Sequence, residues 1–380
     1  MKKLLSLLLA LTLALSLFAA CGNNGNGGEV EPEPEPPYTP NLFTGAQLPD
    51  GYPTNQRPIA IMINNYKGSR PQSGLEVADI TYEIVTEGGI TRMMCVYSDY
   101  ERLNGVNVGP VRSARDQHVQ LMLPFQPIYM HVGGSPQASA LLRDYGYETR
   151  EIDANYKSVQ DVAMFFDNAR WNSGYASEHC WYTTGELIQD AIDTFDLLGE
   201  GSPDDPIFNF VHYNHAPREL MGGLATSFNW DFSSETHAAM EYDPMLNQYM
   251  KSEFGTAQID GNSGRQLGYT NVVILFTNMQ LYPDKYLTKV DYEYGGFGFY
   301  FYGGRYEQVR WVKGTPTQPL RIVDAQGNEI DIELNVGNSY IAIVDYSFYD
   351  AFVATFENEG PVPGQENPEG DASGGESQGE

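Results

Sequence analysis

The chain has 380 residues, a formal net charge of −28 and three cysteines. Such an acidic balance argues against nucleic-acid binding and against attraction to anionic lipid head groups. The length is enough for two domains of ordinary size, and Cys95 and Cys180 are too few for a disulfide framework, so we predict that both are free thiols.

The first 41 residues have the pattern of an export signal followed by a spacer. The apolar run Leu4–Phe18 follows two lysines and leads to two alanines directly before Cys21. This run is shorter than the ~20 residues of a spanning helix, and it indicates a signal peptide over residues 1–20. Lipid on Cys21 would then hold the chain at the extracellular face of the cytoplasmic membrane, through a Gly/Asn and Glu-Pro linker over residues 21–41.

Residues 42–224 alternate between strand-like and helix-like patterns, which predicts an N-terminal mixed α/β domain. The buried run Pro58–Ile63 predicts a strand, and Ser73 begins a capping box for a short helix. The runs Ile80–Thr86 and Ile90–Tyr97 flank a Glu-Gly-Gly turn, which indicates a hairpin.

Two longer helices are predicted in the same segment. Ser113 begins a second capping box, which places a helix start there. The strand-like run Ile128–Val132 leads to Ser135, an N-cap residue directly before Pro136, and the helix that follows should end near Gly146.

Residues 225–356 are dominated by β-branched and aromatic runs separated by turn residues, which predicts a mostly antiparallel all-β domain. The strand-like runs are Thr226–Phe232, Val272–Phe276, Phe297–Tyr302, Arg305–Val312 and Ser339–Val344. Residues 357–380 are rich in Gly, Glu, Ser and Pro, so we predict a disordered acidic tail there. The expected fold class is α+β overall, with the mixed α/β domain preceding the β domain.

Polar and charged residues lie on the loops and first helical turns that follow the predicted strands. Helix N-termini attract anions, and ligands of open α/β sheets lie beyond the carboxyl ends of strands. The candidate ligand-binding residues are Arg70, Gln72, Ser73, Glu87, Arg92, Arg112, Ser113, Arg115, His131 and Ser135. The alternative is structural: each serine is an ordinary N-cap, and each arginine pairs with Glu83 or Glu87.

The sequence offers few candidates for catalysis. His131 and Glu83 are the candidate proton-transfer residues, with nearby arginines to stabilise a developing charge. Ser135 does not fit a nucleophile elbow, because the next residue is a proline and lacks the N–H that such an oxyanion hole uses. No metal motif surrounds His212 and His215, so we predict neither a metal site nor a cofactor.

Multi-residue blocks occur in a fixed order along both segments. They include Arg57-Pro58-Ile59-Ala60, Met62-Ile63-Asn64-Asn65, Arg70-Pro71-Gln72-Ser73-Gly74-Leu75, Glu87-Gly88-Gly89-Ile90-Thr91-Arg92, Gly109-Pro110-Val111-Arg112-Ser113-Ala114-Arg115, His131-Val132-Gly133-Gly134-Ser135-Pro136-Gln137 and Thr270-Asn271-Val272-Val273. These blocks resemble the YerB-type lipoprotein family of Gram-positive bacteria, which is described by a two-part domain of unknown function. Asn64 stands where Asp is more typical, and Lys251 stands where Arg is common. The resemblance implies identity and location, and it implies no activity.

Three hypotheses about function follow. In the first, the chain is a non-enzymatic envelope lipoprotein whose N-terminal domain binds an anionic glycan, peptide or phosphorylated polymer, and Arg70, Arg112 and Arg115 converge on that ligand. In the second, it is a hydrolase or transferase acting on cell-wall polymers. In the third, it is a protein–protein assembly factor. The expected partners are the membrane, through lipid on Cys21, and a cell-wall component or an envelope protein, with no nucleic acid.

Overall fold

The computed structural model describes residues 38–356. The predicted signal peptide, the lipid attachment at Cys21, most of the linker and the predicted acidic tail over residues 357–380 lie outside the described residues. Strand-forming and helix-forming segments alternate up to about residue 195, and strands dominate from residue 227 onward.

The strands have the following bounds: β1 Ile59–Asn64, β2 Ile80–Val85, β3 Thr91–Tyr97, β4 Ile128–His131, β5 Glu151–Asp153, β6 Phe165–Phe166, β7 Trp181–Tyr182, β8 Ser227–Asp231, β9 His237–Asp243, β10 Gln248–Glu253, β11 Thr256–Ala257, β12 Gly268–Tyr269, β13 Asn271–Thr277, β14 Met279–Leu281, β15 Thr288–Val290, β16 Gly296–Tyr302, β17 Arg305–Val312, β18 Arg321–Asp324 and β19 Ser339–Asp345. The α-helices are α1 Asp116–Met122, α2 Pro136–Asp144, α3 Lys157–Ala163, α4 Asn168–Asn172, α5 Gly185–Thr194 and α6 Tyr349–Val353. Short 3₁₀ turns include Leu75–Val77, Glu87–Gly89 and Ser177–His179.

A ten-stranded mixed sheet forms the centre of the fold, in the order β18-β17-β16-β13-β19-β2-β3-β1-β4-β5. The hairpin predicted from the Glu-Gly-Gly turn is present, because β2 pairs with β3 in antiparallel register. The parallel pairs β1–β4 and β4–β5 place the carboxyl ends of three strands at one edge. A smaller sheet, β11-β10-β9-β8 with β12 beside β10, is antiparallel.

Both faces of the large sheet are covered, so β1, β2 and β3 are buried at every position and are mostly apolar. Alternate residues of β1 point to opposite sides, so Ile61 lies in one core and Met62 in the other. Helices α1 and α2 pack on the Met62 side. The small sheet packs on the Ile61 side, together with α3 and α5, and the rings of Phe228 and Phe301 stack there with centroids 4.0 Å apart.

The predicted fold class is confirmed: a mixed α/β region is followed by a mostly antiparallel β region. The predicted cap at Ser135 is also confirmed, since its side chain accepts a hydrogen bond from the Ala138 N–H and Pro136 is the first helical residue. Cys95 and Cys180 are free and buried, as predicted.

The two capping boxes are wrong. Helix α1 begins at Asp116 rather than Ser113, because Ala114 is still extended and pairs with Gly134. The 3₁₀ turn after Ser73 begins at Leu75 and is preceded by Gly74 in the left-handed region, without a side-chain cap. Tertiary pairing of these extended segments overrides the local helix-start signals.

The boundary at residues 224/225 stays a prediction, and the two segments on either side of it contribute to a common sheet. Strand β19 of the second segment pairs in parallel with β2 of the first, with Ala342 opposite Glu83. The described residues from Thr39 onward belong to one compact unit. Among residues 38–356, no helix combines the length and the apolar character needed to cross a membrane.

Candidate functional site

Several of the predicted site residues lie at the edge of the large sheet where β1 and β4 end. The backbone of Arg112 lies between these two strands: its N–H donates to Met62 O at 2.8 Å, and its carbonyl accepts from the Val132 N–H at 3.1 Å. Strand β3 begins at this same edge, with Arg92 opposite Asn64. The topology therefore brings residues from three separate sequence blocks to one place.

On the helix side of the sheet, one carboxylate binds two arginines. Glu87 accepts from Arg92 at 2.5 Å and from Arg115 at 2.8 Å and 2.5 Å, and we call these three residues the Glu87 cluster. Burial alone would raise the pKa of Glu87, but its bonds to the two guanidiniums outweigh that effect and lower the pKa to about 2. The structural alternative, in which arginines pair with Glu87, is thus confirmed for Arg92 and Arg115.

The arrangement of like charges changes the pKa of Arg92. It is buried, and it also donates to the Ser113 carbonyl at 2.8 Å. Burial and the positive charge of Arg115, with a further contribution from Arg112, lower the pKa of Arg92 to about 9. Like charges close together in a poorly solvated place explain that direction.

Arg112 differs from its neighbours. Its side chain is half-buried, and within residues 38–356 it makes no side-chain hydrogen bond and no ion pair. Its charge acts on the buried imidazole of His179, whose Nδ1 lies 2.8 Å from the Asn64 side-chain amide. The half-exposed ring of Tyr66 stacks on His179 with centroids 5.8 Å apart. An exposed aromatic ring thus stacks on the same imidazole whose pKa the charge of Arg112 lowers.

On the opposite side of the sheet, a second set of charges lies between the two sheets, and all of its charged side chains are buried except that of Arg70, which is 14% exposed. Successive residues of β3 point to opposite faces, so Arg92 joins the Glu87 cluster while the Thr91 hydroxyl donates to Glu83 at 2.7 Å. We call this second set the Glu253 cluster. Its members are Asn65, Arg70, Gln72, Glu83, Thr91, Lys251, Glu253, Gln258 and Tyr340.

The charges of the Glu253 cluster balance. Lys251 lies 3.1 Å from Glu83 and 2.6 Å from Glu253, and Arg70 lies 2.5 Å from Glu253, so two acids face two bases. Burial, followed by the charge of Glu253, raises the pKa of Glu83 to about 7. The attraction of Lys251 and Arg70 outweighs burial at Glu253 and lowers its pKa. The amide of Asn65 bridges both carboxylates, at 2.8 Å to each.

The structure therefore separates residues that the sequence placed together. Arg70 and Gln72 belong to the Glu253 cluster, on the other side of the sheet from Arg112 and Arg115. The predicted convergence of Arg70 with Arg112 and Arg115 is not present, because Arg70 lies against Glu253.

The remaining candidate residues make ordinary structural contacts or lie apart from the ion pairs of both clusters. Ser73 pairs through its backbone with Gly109, and Ser135 caps α2. Ser113 contributes its carbonyl to Arg92. His131 is buried and lies 2.9 Å from Glu151, away from the ion pairs of both clusters.

Sequence reasoning missed Lys251, Glu253 and His118. Lys251 and Glu253 are two residues apart in β10, both at inward-facing positions, and charges at inward positions of an alternating strand were the available signal. His118 is fully buried in α1, with Nε2 3.2 Å from the Arg92 carbonyl, and burial lowers its pKa to about 3. Nothing in the local sequence distinguished it from an exposed helical histidine.

Two family models together match most of the described chain. The model described as the protein of unknown function (DUF3048) N-terminal domain matches residues 43–197, and the DUF3048 C-terminal domain matches residues 228–341. The chain belongs to the DUF3048 family. Both clusters draw on the matched regions, since Glu83 and Glu87 lie in the first and Lys251 and Glu253 in the second.

A DUF3048 relative with a solved structure comes from Bacillus subtilis. The protein named "Putative lipoprotein YerB" is 27% identical over 261 residues, which is 68% of this chain and 73% of the relative. The crystal structure of YerB superimposes with a TM-score of 0.66 at 23% identity, covering 80% of this chain and 96% of that one. The resemblance predicted from the sequence blocks is therefore confirmed, and the fold is shared.

Proposed function

We propose that this chain is a lipid-anchored envelope lipoprotein that binds an anionic ligand at Arg112, on the extracellular face of the cytoplasmic membrane. The ligand class is a glycan, peptide or polymer that carries a carboxylate or a phosphate. The relative's printed name supports the lipoprotein part, and the residues before Cys21 supply the processing pattern.

One observation carries the ligand proposal: Arg112 has no acidic partner within residues 38–356, while the neighbouring Glu87 is already shared by Arg92 and Arg115. Three guanidiniums thus lie near one hydrogen-bonded carboxylate, in a protein whose net charge is −28. A bound anion would relieve the repulsion among these guanidiniums, and a guanidinium binds carboxylate or phosphate through paired hydrogen bonds.

The exposed ring of Tyr66 supports a ligand with a ring or a sugar. Tyr66 is 47% exposed and is held in place by stacking on His179. A fixed, exposed ring can pack against the apolar face of a sugar while Arg112 binds its acidic group. Muropeptides and teichoic-acid fragments carry both chemical features.

The binding test uses the full chain in detergent, titrated with muropeptides and with teichoic-acid fragments in a calorimeter. We expect one of the two to bind, and we expect Arg112→Ala to weaken that binding at least about ten-fold, since a charge-assisted hydrogen bond contributes ~1.5–3 kcal/mol. The matched control is Arg321→Ala, which removes an exposed arginine on β18, at the far end of the sheet. Equal affinity of the Arg112 variant and the parent chain would refute the site.

The anchor has its own test. Cys21→Ser removes the thiol that lipid would modify, so the chain should leave the membrane fraction while its unfolding behaviour stays unchanged. Cys180→Ser leaves Cys21 intact and is the control. A Cys21→Ser chain that stays fully membrane-bound would contradict lipid anchoring at this residue.

A further inference from the structure

A histidine and two carboxylates converge on one face of β4 and β5. These strands pair in parallel, with Tyr129 opposite Glu151 and His131 opposite Asp153. Partners in a parallel pair point to the same side, and so do residues two apart, so the four side chains share a face. The His131 side chain is 2% exposed, whereas Glu151 and Asp153 are 24% and 22% exposed.

The hydrogen bonds of His131 orient its ring. Nδ1 lies 2.9 Å from the Gly133 carbonyl oxygen, which only accepts, so Nδ1 carries a proton. Nε2 lies 2.9 Å from Glu151 Oε1, which is also an acceptor when the carboxylate is ionised. In the neutral imidazole, two lone pairs therefore face each other, and that contact is favourable only with a proton or a cation between them.

The spacing suits a cation. Two neighbouring ligands that each lie ~2.1 Å from an ion are about 3.0 Å apart in octahedral geometry and about 3.4 Å apart in tetrahedral geometry. The separation of 2.9 Å between His131 Nε2 and Glu151 Oε1 is close to the octahedral value, and it is also the length of a hydrogen bond between the two groups. An imidazole whose other nitrogen donates to a backbone carbonyl is the usual arrangement of a metal-binding histidine.

Asp153 is the third candidate ligand, and its Oδ1 lies 3.7 Å from Nδ1 of His131. Ligand atoms of His131, Glu151 and Asp153 all lie within 4.8 Å of one another. Oδ1 of Asp153 accepts from the N–H groups of Gly133 at 2.8 Å and Asn155 at 3.0 Å, which fixes the carboxylate. Its Oδ2 makes no hydrogen bond within the described residues and remains available.

A residue that packs against His131 has a buried hydroxyl without a hydrogen-bond partner within the described residues. Tyr129 is fully buried, and within residues 38–356 its hydroxyl has no hydrogen-bond partner. Its ring packs against that of His131 with centroids 5.0 Å apart, and Glu151 and Arg115 are among its charged neighbours. A buried hydroxyl without a partner is costly, and a water held by a nearby cation would satisfy it.

We propose that His131, Glu151 and Asp153 bind one divalent cation of the zinc or manganese type, with water in the remaining positions. One imidazole nitrogen with two carboxylate oxygens suits these ions, whereas Ca²⁺ and Mg²⁺ favour oxygen ligands throughout. The two carboxylates balance the charge of the ion. The site goes beyond the anionic ligand proposed at Arg112 and does not depend on it.

The test measures Zn²⁺ and Mn²⁺ binding to the full chain by isothermal titration calorimetry, with no other ligand present. One equivalent should bind, and Glu151→Gln should weaken the binding at least about ten-fold. Glutamine keeps the size of the side chain and can still hydrogen-bond to His131, so this variant should fold even if His131→Gln does not. The unfolding midpoint without metal checks that.

Adventitious zinc binding needs a control. The rings of His212 and His215 lie 5.0 Å apart and could bind Zn²⁺ by themselves, so the double variant His212→Gln/His215→Gln removes that contribution. The proposal expects the double variant to keep the one-equivalent site. It is overturned if the double variant loses that site, or if Glu151→Gln binds either metal as tightly as the parent chain.

Discussion

Neighbouring residues of β3, Thr91 and Arg92, belong to two charge clusters that differ in their balance of acids and bases. Thr91 leads to the Glu253 cluster, in which two acids face two bases and every charged side chain has a partner. Arg92 belongs to the Glu87 cluster, in which one carboxylate binds two arginines, and a third arginine near that cluster, Arg112, has no acidic partner within the described residues. Where acids and bases are paired, no further ion is needed to neutralise them. Where positive charge is in excess, an anion can still bind.

The difference also matches the location of each cluster. The Glu253 cluster lies between two sheets, where an unpaired charge would be severely destabilising. Arg112 is only half-buried, so water can solvate its charge until a ligand replaces that water. The comparison therefore predicts that substitutions in the Glu253 cluster change stability, and that substitution of Arg112 changes ligand binding.

The largest expected effect is at Lys251. Lys251→Met leaves the buried carboxylates of Glu83 and Glu253 with Arg70 alone, and removing one partner of a buried ion pair costs ~3–5 kcal/mol of unfolding free energy. Urea unfolding followed by fluorescence measures this loss. Arg321→Met breaks an exposed pair and is the control, with an expected loss below about 1 kcal/mol.

A double variant sharpens that prediction. Lys251→Met/Glu83→Gln removes one base and one acid, which restores the balance, so it should be more stable than Lys251→Met alone by at least about 1 kcal/mol. If the double variant is no more stable than the single one, charge balance is not what holds this cluster together.

The next effect is a dependence of stability on pH. Burial and the charge of Glu253 raise the pKa of Glu83 to about 7, so the folded chain holds a proton that the unfolded chain releases above its usual value of 4.5. The contribution of Glu83 to the unfolding free energy should therefore fall as the pH rises from 4.5 to 7, by at most about 1.4 kcal/mol per pH unit. Buried His118, whose folded pKa is lowered to about 3, contributes with the opposite sign up to its usual value of 6.5, so the Glu83 part is measured as a difference between variants.

Two variants separate this effect from the rest of the titration. Glu83→Gln should remove the negative contribution, so between pH 5 and 7 its unfolding free energy should rise more, or fall less, with pH than that of the parent chain. Glu87→Gln should leave the slope unchanged there, because the folded pKa of Glu87 is about 2 and its stabilising contribution is lost only as the pH falls from about 4.5 towards that value. An unchanged slope in Glu83→Gln would show that another group takes up the proton.

The smallest expected effect on stability is at Arg112. Arg112→Ala removes no hydrogen bond and no ion pair within the described residues, so the unfolding free energy should change by less than about 0.5 kcal/mol. Arg92→Ala is the matched comparison, and it should cost ~1.5–3 kcal/mol because it removes bonds to Glu87 and to the Ser113 carbonyl. Equal losses in the two variants would remove the distinction between paired and unpaired arginines.

The sequence predicted the strands well, because alternation and turn chemistry are local. The turn residues predicted between the β runs include the two-glycine loop at Gly303-Gly304, which joins β16 and β17 with both residues in the left-handed region. The cap at Ser135 depends only on the residues that directly follow it in the chain, and it was predicted correctly. The cap at Ser113 failed because the neighbouring backbone pairs with a segment about 20 residues later in the chain.

The candidate site was predictable only in part, for the same reason. Glu87, Arg92 and Arg115 lie within 28 residues of one another, and their pairing was among the alternatives read from the sequence. Glu253, the acid that binds Arg70, is 183 residues away from it, so no local pattern could connect the two. Long-range register decides which arginine is paired and which is left without an acid.

The pairing of β19 with β2 can form only late in the synthesis of this chain. Strand β2 is complete at Val85, but the neighbour that covers one of its edges ends only at Asp345. During synthesis one edge of β2 therefore stays unpaired until β19 has emerged. Unpaired strand edges can pair with other chains and cause aggregation. A fragment that stops before residue 339 should be prone to aggregation, and chaperones that shield nascent chains should matter more for this protein than its modest size suggests.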